Sequence, residues 1–392
     1  MHSMINWHEA GKDNTALWRS ESGAKPPKRV IVADDTMKAD VAYKLACEGT
    51  ALLWRGDFQN AKQLLQALSR RTDRKSRKTS KSQKSGNNSV SGNAGKTSDM
   101  PGEAFHLHRQ AQSQRARTLA MILIPLDSDY SIPLRRAPQI QPACFAVYGA
   151  KSQPSVVSLR ELLGLVGAHE WRKKGVAIPE LDDRIHPHFG VFSPVRGEYV
   201  QLVQEATLPS TELAFDIGTG TGVLAAVLAR RGVKHIVATD QDQRALSCAK
   251  ENIMRLGLSD QIDIVPADLF PPGKATLIVC NPPWIPARPS SAIEHAIYDP
   301  DSQMLRGFLS GLPEHLEPGG EGWLILSDIA EHLGLRTREA LLALIDTSGL
   351  QVIERMDIRP AHAKAGDTTD PLHSARAAEV TSLWRLAVQG VA

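Results

Sequence analysis

A short glycine turn between an apolar strand and a helix constrains this chain more than any other feature. Residues 213–218 read LAFDIG, a run with the apolar weight of a buried strand. The turn continues Gly218-Thr219-Gly220-Thr221-Gly222, and a helical apolar pattern follows through Arg231. Alternate glycines let the backbone adopt conformations closed to other residues and approach a bound group at a helix N-terminus. A dinucleotide fingerprint needs glycine at the first, third and sixth positions. Counted from Gly218 the sixth is Val223, so that pattern fails, and no Lys-Ser/Thr pair follows to make a P-loop. By itself the turn equally fits a plain strand-to-helix connection.

The surrounding pattern is regular. HIVATD (235–240) reads as a second strand, and Asp242 can cap a helix running to Leu256. IDIVPAD (262–268) and TLIVCN (276–281) read as the third and fourth strands. A helix over 304–316, strand GWLILSD (322–328), a helix near 331–346 and strands QVIERMD (351–357) and SLWRLAV (382–388) complete the series. Alternating strands and helices predict an α/β fold, a mostly parallel open sheet covered on both faces. Asp216, Asp240, Asp268 and Asn281-Pro282-Pro283-Trp284 then fall at C-terminal strand ends, where open α/β sheets bind ligands. There Asp240 can take both hydroxyls of a ribose, and Asp268 can accept from an adenine amino group.

Charge divides the chain. Its net charge is +3, yet residues 71–100 carry eight Lys/Arg against two Asp, so the remainder is slightly acidic. That segment has three apolar residues (Val90, Ala94, Met100), too few to offset the entropy of ordering it, and disorder is expected. It reads either as a solvated insertion or as a basic arm for RNA or ribosome phosphates. Around it, KRVIVADD (28–35) reads as a buried strand, 41–53 carries helical periodicity, and 111–123 carries a second apolar pattern leading into ILIPLD. QIQPACFAVY (139–148) reads as strand-like, interrupted at Pro142. These pieces predict a smaller α/β accessory domain over 1–165, with a disordered basic insertion at 71–103. A connecting segment (166–209) and a main domain (210–392) follow. No chemistry is visible in the accessory domain, and His106 and His108 read as exposed residues rather than ligands.

Cys47, Cys144, Cys248 and Cys280 lie far apart without a CxxC pair. That spacing excludes a disulfide scaffold, makes no metal site, and fits a reducing cytoplasm. No apolar run is long enough to span a membrane. The N-terminal MHSMINWHEAGKDN lacks the apolar core of a secretory signal, so a cytoplasmic location is expected.

Taken in order, the strand-end residues resemble the class I S-adenosylmethionine-dependent methyltransferases, in the amino-methylating branch that carries (N/D)PP(Y/F/W). The likeness covers roughly 185–392. Within that branch the chain is similar to the HemK-like release-factor glutamine methyltransferases and the small-domain (MTS) RNA methyltransferases. The residues that carry it are Ala267-Asp268-Leu269-Phe270, Asn281-Pro282-Pro283-Trp284-Ile285-Pro286 and Leu316-Glu317-Pro318-Gly319-Gly320, with Gly190-Val191-Phe192-Ser193-Pro194 upstream. Where the glutamine enzymes continue with acidic residues, this chain has Val195-Arg196-Gly197-Glu198-Tyr199. The departure bears on the substrate, because that segment borders the active site.

The resemblance implies a Rossmann-like sheet and S-adenosyl-L-methionine as cofactor, held by Asp216, Gly218, Thr219, Gly220, Gly222, Asp240, Asp268, Leu269 and Asn281. It implies a catalytic set of Asn281, Pro282, Pro283 and Trp284 and no metal. The Asn281 oxygen and the Pro282 carbonyl each accept one N–H of a planar amine or amide, turning its lone pair toward the methyl carbon. The prolines fix the backbone, and Trp284 stacks on the acceptor or else packs in the core. Phe270 faces adenine or packs in the core; Cys280 reads as a buried strand residue, and His186 and His188 as loop residues. The partner is RNA or the ribosome, on the basic arm, the extra domain and Arg196, or a translation-factor glutamine, on the DLF and NPPWIP likeness. A small-molecule amine, and a catalytically silent RNA-binding or ribosome-binding module, stand as alternatives. Oligomeric state is not set by the sequence.

Overall fold

The computed structural model describes residues 3–85, 101–150, 153–288, 297–360 and 372–390. The chain forms two compact units, one of residues 1–99 and 106–170, the other of 100–105 and 171–392.

The first unit opens with a hairpin, β1 (Met4–Glu9) and β2 (Lys12–Arg19). Then come β3 (Arg29–Ala33), α1 (Ala39–Cys47), β4 (Thr50–Trp54), α2 (Phe58–Ser85), α3 (Pro101–Leu119), β5 (Ile122–Leu126), α4 (Gln141–Tyr148), β6 (Ser155–Ser158) and α5 (Leu159–Lys174). The six strands make one mixed sheet in the order β1-β2-β6-β5-β4-β3, with β3, β4 and β5 parallel. Trp54, Phe58, Leu68, Ile122 and Tyr130 fill its core. The unit is α/β, as expected, but four local readings change.

The run at 28–35 is not a buried strand: β3 is the sheet edge and only Ala33 is buried. The helical periodicity over 41–53 breaks at Gly49, whose φ of +78° ends α1, and the apolar run after it becomes the wholly buried strand β4. The strand-like stretch 139–148 is helix α4, with Pro142 in its first turn, where no intrahelical N–H partner is needed. The basic run is helical through Ser85 rather than disordered from residue 71. Lys, Arg and Gln are good helix formers. Ion pairs of Arg71 with Asp40 (2.7 Å) and of Asp73 with Arg115 (2.9 Å) tie the start of that run to α1 and α3. Residues 86–100 lie outside the described residues.

The second unit begins with the short hairpin β7 (Val176–Ile178) and β8 (Asp183–Ile185), then α6 (Glu198–Glu205). β9 (Leu213–Ile217), α7 (Val223–Arg230), β10 (His235–Asp240), α8 (Gln243–Arg255), β11 (Ile262–Pro266) and β12 (Ala275–Cys280) follow. The remainder is α9 (Gln303–His315), β13 (Leu316–Ser327), α10 (Ile329–His332), α11 (Arg338–Thr347), β14 (Leu350–Ile358), α12 (His373–Ala378) and β15 (Thr381–Val388). Asp242 caps α8 by accepting the Arg244 N–H at 2.9 Å, as its position predicts.

Seven strands form one sheet in the order β11-β10-β9-β12-β13-β15-β14. β11, β10, β9, β12 and β13 are parallel, and β15 runs antiparallel between β13 and β14. Successive strand residues feed opposite faces. Ala214, Ala238, Leu277 and Val279 pack beneath α6 and α7, while Phe215, Ile217, Ile278 and Cys280 pack beneath α9 and α11. The chain leaves β9 for β10 on one side and returns to β12 on the other, which makes the β9/β12 boundary the topological switch point. No helix among the described residues is long and apolar enough to cross a membrane.

Candidate active site

Sheet register gathers the predicted residues. Ile217 lies opposite Thr239 in β10 and Cys280 in β12, so Gly218, Asp240 and Asn281 emerge side by side. Gly218, Gly220 and Gly222 all have positive φ (70°, 56° and 81°), the reason the turn demands glycine at alternate positions. Asp216 is 1% exposed, and its Oδ2 accepts from the Thr219 hydroxyl (2.6 Å) and the Ala225 N–H (3.2 Å). Its carboxyl is pushed up to about 6, chiefly by burial. Asp216 therefore braces the turn against the first turn of α7. Thr219, itself buried, donates its N–H to the Thr239 carbonyl at 2.8 Å.

Asp240 accepts from the Gly220 N–H (3.1 Å) through Oδ2 and from the Asp242 N–H (2.9 Å) through Oδ1. Burial raises its carboxyl from the usual range, with those N–H groups opposing. A carboxylate offers about four acceptor sites, so it retains capacity for a ligand hydroxyl. At Gly220 there is room, since a Cβ there would meet nothing nearer than the Gly218 carbonyl at 4.0 Å, whereas one on Gly218 would come within 2.5 Å of Met304 Cε. Asp268 is exposed two residues beyond β11, which ends at Pro266 rather than at 268. A glycine turn open at Gly220 and flanked by two acceptor carboxylates fits an adenosyl group, whose hydroxyls and amino group are donors.

Leu269 has a φ of +70°, unusual for a branched side chain, and its carbonyl accepts the Thr239 hydroxyl at 2.5 Å. Two glycines of α9 make room for Leu269 and Phe270. A Cβ on Gly307 would come within 2.6 Å of Leu269 Cδ1, and one on Gly311 within 2.6 Å of the Phe270 ring. Phe270 is half-buried, stacked on His315 (ring centroids 4.4 Å apart) and on Phe308 (5.9 Å) at the margin of the core beneath α9. Buried Asp299 accepts from the Met304 and Leu305 N–H groups (3.0 and 3.1 Å) and so holds the start of α9.

Asn281 follows β12 directly. Its Oδ1 accepts the Trp284 indole N–H at 2.9 Å. Pro282 is buried, Pro283 and Trp284 half-buried. Ile285 and Asp299 continue the anchoring through Ile285 N–H to Ile297 O (3.2 Å) and Asp299 N–H to Ile285 O (2.9 Å). The Arg196 guanidinium lies over the Trp284 ring, 5.9 Å from its centroid, and grips Glu379 through Nη1–Oε1 (2.9 Å) and Nη2–Oε2 (3.3 Å). Ser327 donates to the same carboxylate at 2.7 Å. Arg196 is thus committed to an internal carboxylate, which removes one of the supports for an RNA partner. Cys280 is fully buried, and burial drives its thiol far above the ordinary range.

His186 and His188 are anchors outside this cluster. The His186 N–H donates to Asn252 Oδ1 (2.8 Å), and His188 Nε2 meets Glu251 at 2.9 Å, both on α8. Asn252 in turn donates to the Thr221 carbonyl at 3.0 Å, a support of the glycine turn that sequence spacing does not reveal. His106 is exposed, and His108 is half-buried rather than exposed. The four cysteines are free, and among the described residues no group of three His, Cys, Asp or Glu could hold a metal.

A parallel sheet with an antiparallel strand inserted beside β13, and with acceptor residues at the C-terminal ends of its parallel strands, has the architecture of the class I S-adenosylmethionine-dependent methyltransferase fold. Residues 184–338 match the family described as "Methyltransferase small domain", and the chain belongs to that family. It is 32% identical over 169 residues to a release factor glutamine methyltransferase of Cereibacter sphaeroides, covering 40% of this chain and 58% of that one. It is 31% identical to a tRNA1(Val) (adenine(37)-N6)-methyltransferase of Bacteroides thetaiotaomicron, covering 38% and 66%. The corresponding enzyme of Shewanella loihica is 30% identical, covering 44% and 72%. The chain thus spans a little over half the length of the first of these relatives.

Proposed function

We propose that this chain methylates a planar –NH2 nitrogen of the translation machinery, with an RNA base amine as the leading acceptor. The observation that carries the reading is Asn281, its side-chain oxygen oriented at the end of β12 beside the glycine turn. S-Adenosylmethionine supplies a methyl carbon that the acceptor nitrogen attacks as the C–S bond breaks, sulfur keeping the electron pair and the nitrogen's proton leaving to water. Asp240, Asp268 and the Gly218–Gly222 turn hold the adenosyl end, while Asp216, Thr219 and Leu269 shape the backbone that carries them. Asn281 and the Pro282 carbonyl accept the two N–H bonds of the acceptor, so rate comes from alignment. The RNA preference rests on the two tRNA adenine relatives and on the Lys/Arg-rich run that starts at Arg70. Substrates of this kind fit a cytoplasmic location.

The test is methyl transfer from tritiated S-adenosylmethionine into a ribosome-containing lysate of cells lacking this protein. Label lost to RNase supports the RNA amine. Label lost to protease assigns a protein amide instead, the chemistry in the name of the glutamine relative. Absence of label in every fraction, with cofactor binding verified, refutes both.

A further inference from the structure

Asn281 can perform its task only with one end of its amide facing the acceptor. The terminal amide torsion is broad, and its oxygen and nitrogen have similar shapes, so rotation would present –NH2 to an incoming –NH2. Something must select the oxygen. The Trp284 indole nitrogen is a donor only, and at 2.9 Å from Asn281 Oδ1 it does so. A carbonyl oxygen accepts two hydrogen bonds, which leaves one lone pair for one N–H of the acceptor.

Trp284 is itself held. It packs against the cluster of Ile329 and Leu333, and one face of its ring carries Arg196. Arg196 is fixed by the two-pronged pair with Glu379, whose side chain is 1% exposed. A buried carboxylate without its cation is costly, so this pair resists opening. The Ser327 hydroxyl binds the same carboxylate from the end of β13. A base cannot stack on the indole face that Arg196 covers.

We infer that Trp284 is a positioning residue whose N–H sets the Asn281 amide, and that the Arg196–Glu379 ion pair sets Trp284. The inference rests on the methyl-transfer reading, because it assigns Asn281 the acceptor role. Trp284 thereby acts through its nitrogen rather than as a stacking platform, and tyrosine or phenylalanine in its place would lack that donor.

Three variants of the full chain test it: Trp284→Phe, Trp284 replaced by its benzothienyl isostere (sulfur in place of N–H), and Glu379→Gln. The readouts are calorimetric S-adenosylmethionine affinity, single-turnover methyl transfer into the ribosome-containing lysate across lysate concentrations, and the side-chain amide resonance of 15N-labelled Asn281. Both variants lacking the N–H should bind cofactor within about two-fold of wild type and transfer methyl roughly 10–100-fold more slowly, at unchanged half-saturating lysate. They should also shift the Asn281 resonance. Glu379→Gln should move the Trp284 indole N–H resonance and slow transfer about 5–10-fold. A benzothienyl variant at the wild-type rate overturns the inference. So does a higher half-saturating concentration at unchanged rate, the signature of lost stacking. If wild-type protein labels nothing, the methyl-transfer reading fails on its own. The positioning contact is then judged by resonance, and an Asn281 signal unmoved in Trp284→Phe refutes it.

Discussion

Gly220 donates its backbone N–H to the Asp240 carboxylate at 3.1 Å, so the acid that ends β10 is tied to the turn that ends β9. That bond sets the carboxylate where ligand hydroxyls would meet it. Asp240→Ala should weaken S-adenosylhomocysteine binding about 10–100-fold, the size expected for hydrogen bonds to a charged acceptor. Titration calorimetry reads this directly, and an unchanged affinity would remove Asp240 from the cofactor site.

Asn281→Ala should behave differently. It deletes an acceptor at the reacting nitrogen and leaves the glycine turn untouched. Methyl transfer should fall by at least roughly 100-fold, as for loss of a transition-state hydrogen bond, with cofactor affinity nearly constant. Full activity in this variant would sink the proposed chemistry.

The two glycines of α9 make a stability prediction with an internal control. Alanine is the better helix former by about 1 kcal/mol at either position. At Gly307 the new methyl meets the movable end of Leu269, and the gain and the clash should nearly cancel. At Gly311 it meets the Phe270 ring, whose stacking on Phe308 and His315 resists displacement. Gly311→Ala should therefore be destabilised by about 1–3 kcal/mol through overpacking. Urea unfolding of the pair decides it; equal effects would mean that Phe270 is freer than its stacking indicates.

Asp216 predicts a pH dependence. Its folded carboxyl is raised to about 6, above that of an unfolded chain, so between roughly pH 4 and pH 6 the folded state holds a proton that the unfolded state has lost. Stability attributable to this group therefore falls as pH rises through that window. Asn at 216 can still accept from Thr219 and Ala225 but does not ionise. Going from pH 4 to pH 7.5, Asp216→Asn should gain on wild type by up to about 3 kcal/mol. Parallel urea midpoints at the two pH values that leave the difference constant would refute the assignment.

Much of the second unit is legible in the chain because its strands are short apolar runs ending in polar residues, and period and punctuation are local properties. The accessory unit is less so. A run such as 139–148 has the composition of a strand, and only the placement of Pro142 in a first turn makes it helical. The stretch 41–53 holds a helix and a buried strand whose apolar residues happen to continue one spacing across Gly49. Charge content alone misjudges 71–85, because disorder and a highly charged helix share a composition.

Within the site, the acidic strand ends, the alternate glycines and Asn281-Pro282-Pro283-Trp284 are all visible as residues in order, since each lies where a strand stops. What those residues touch is another matter. That Asp216 braces the turn, that Phe270 is enclosed by α9, and that Trp284 gives its N–H to Asn281 depend on side-chain directions. Arg196 and Glu379 stand 183 residues apart. Local sequence thus determined the strand ends and the acceptors placed on them. Only the folded sheet decided which acceptors are already occupied, because a hydrogen bond or a buried ion pair forms between groups brought close in space, whatever their separation along the chain.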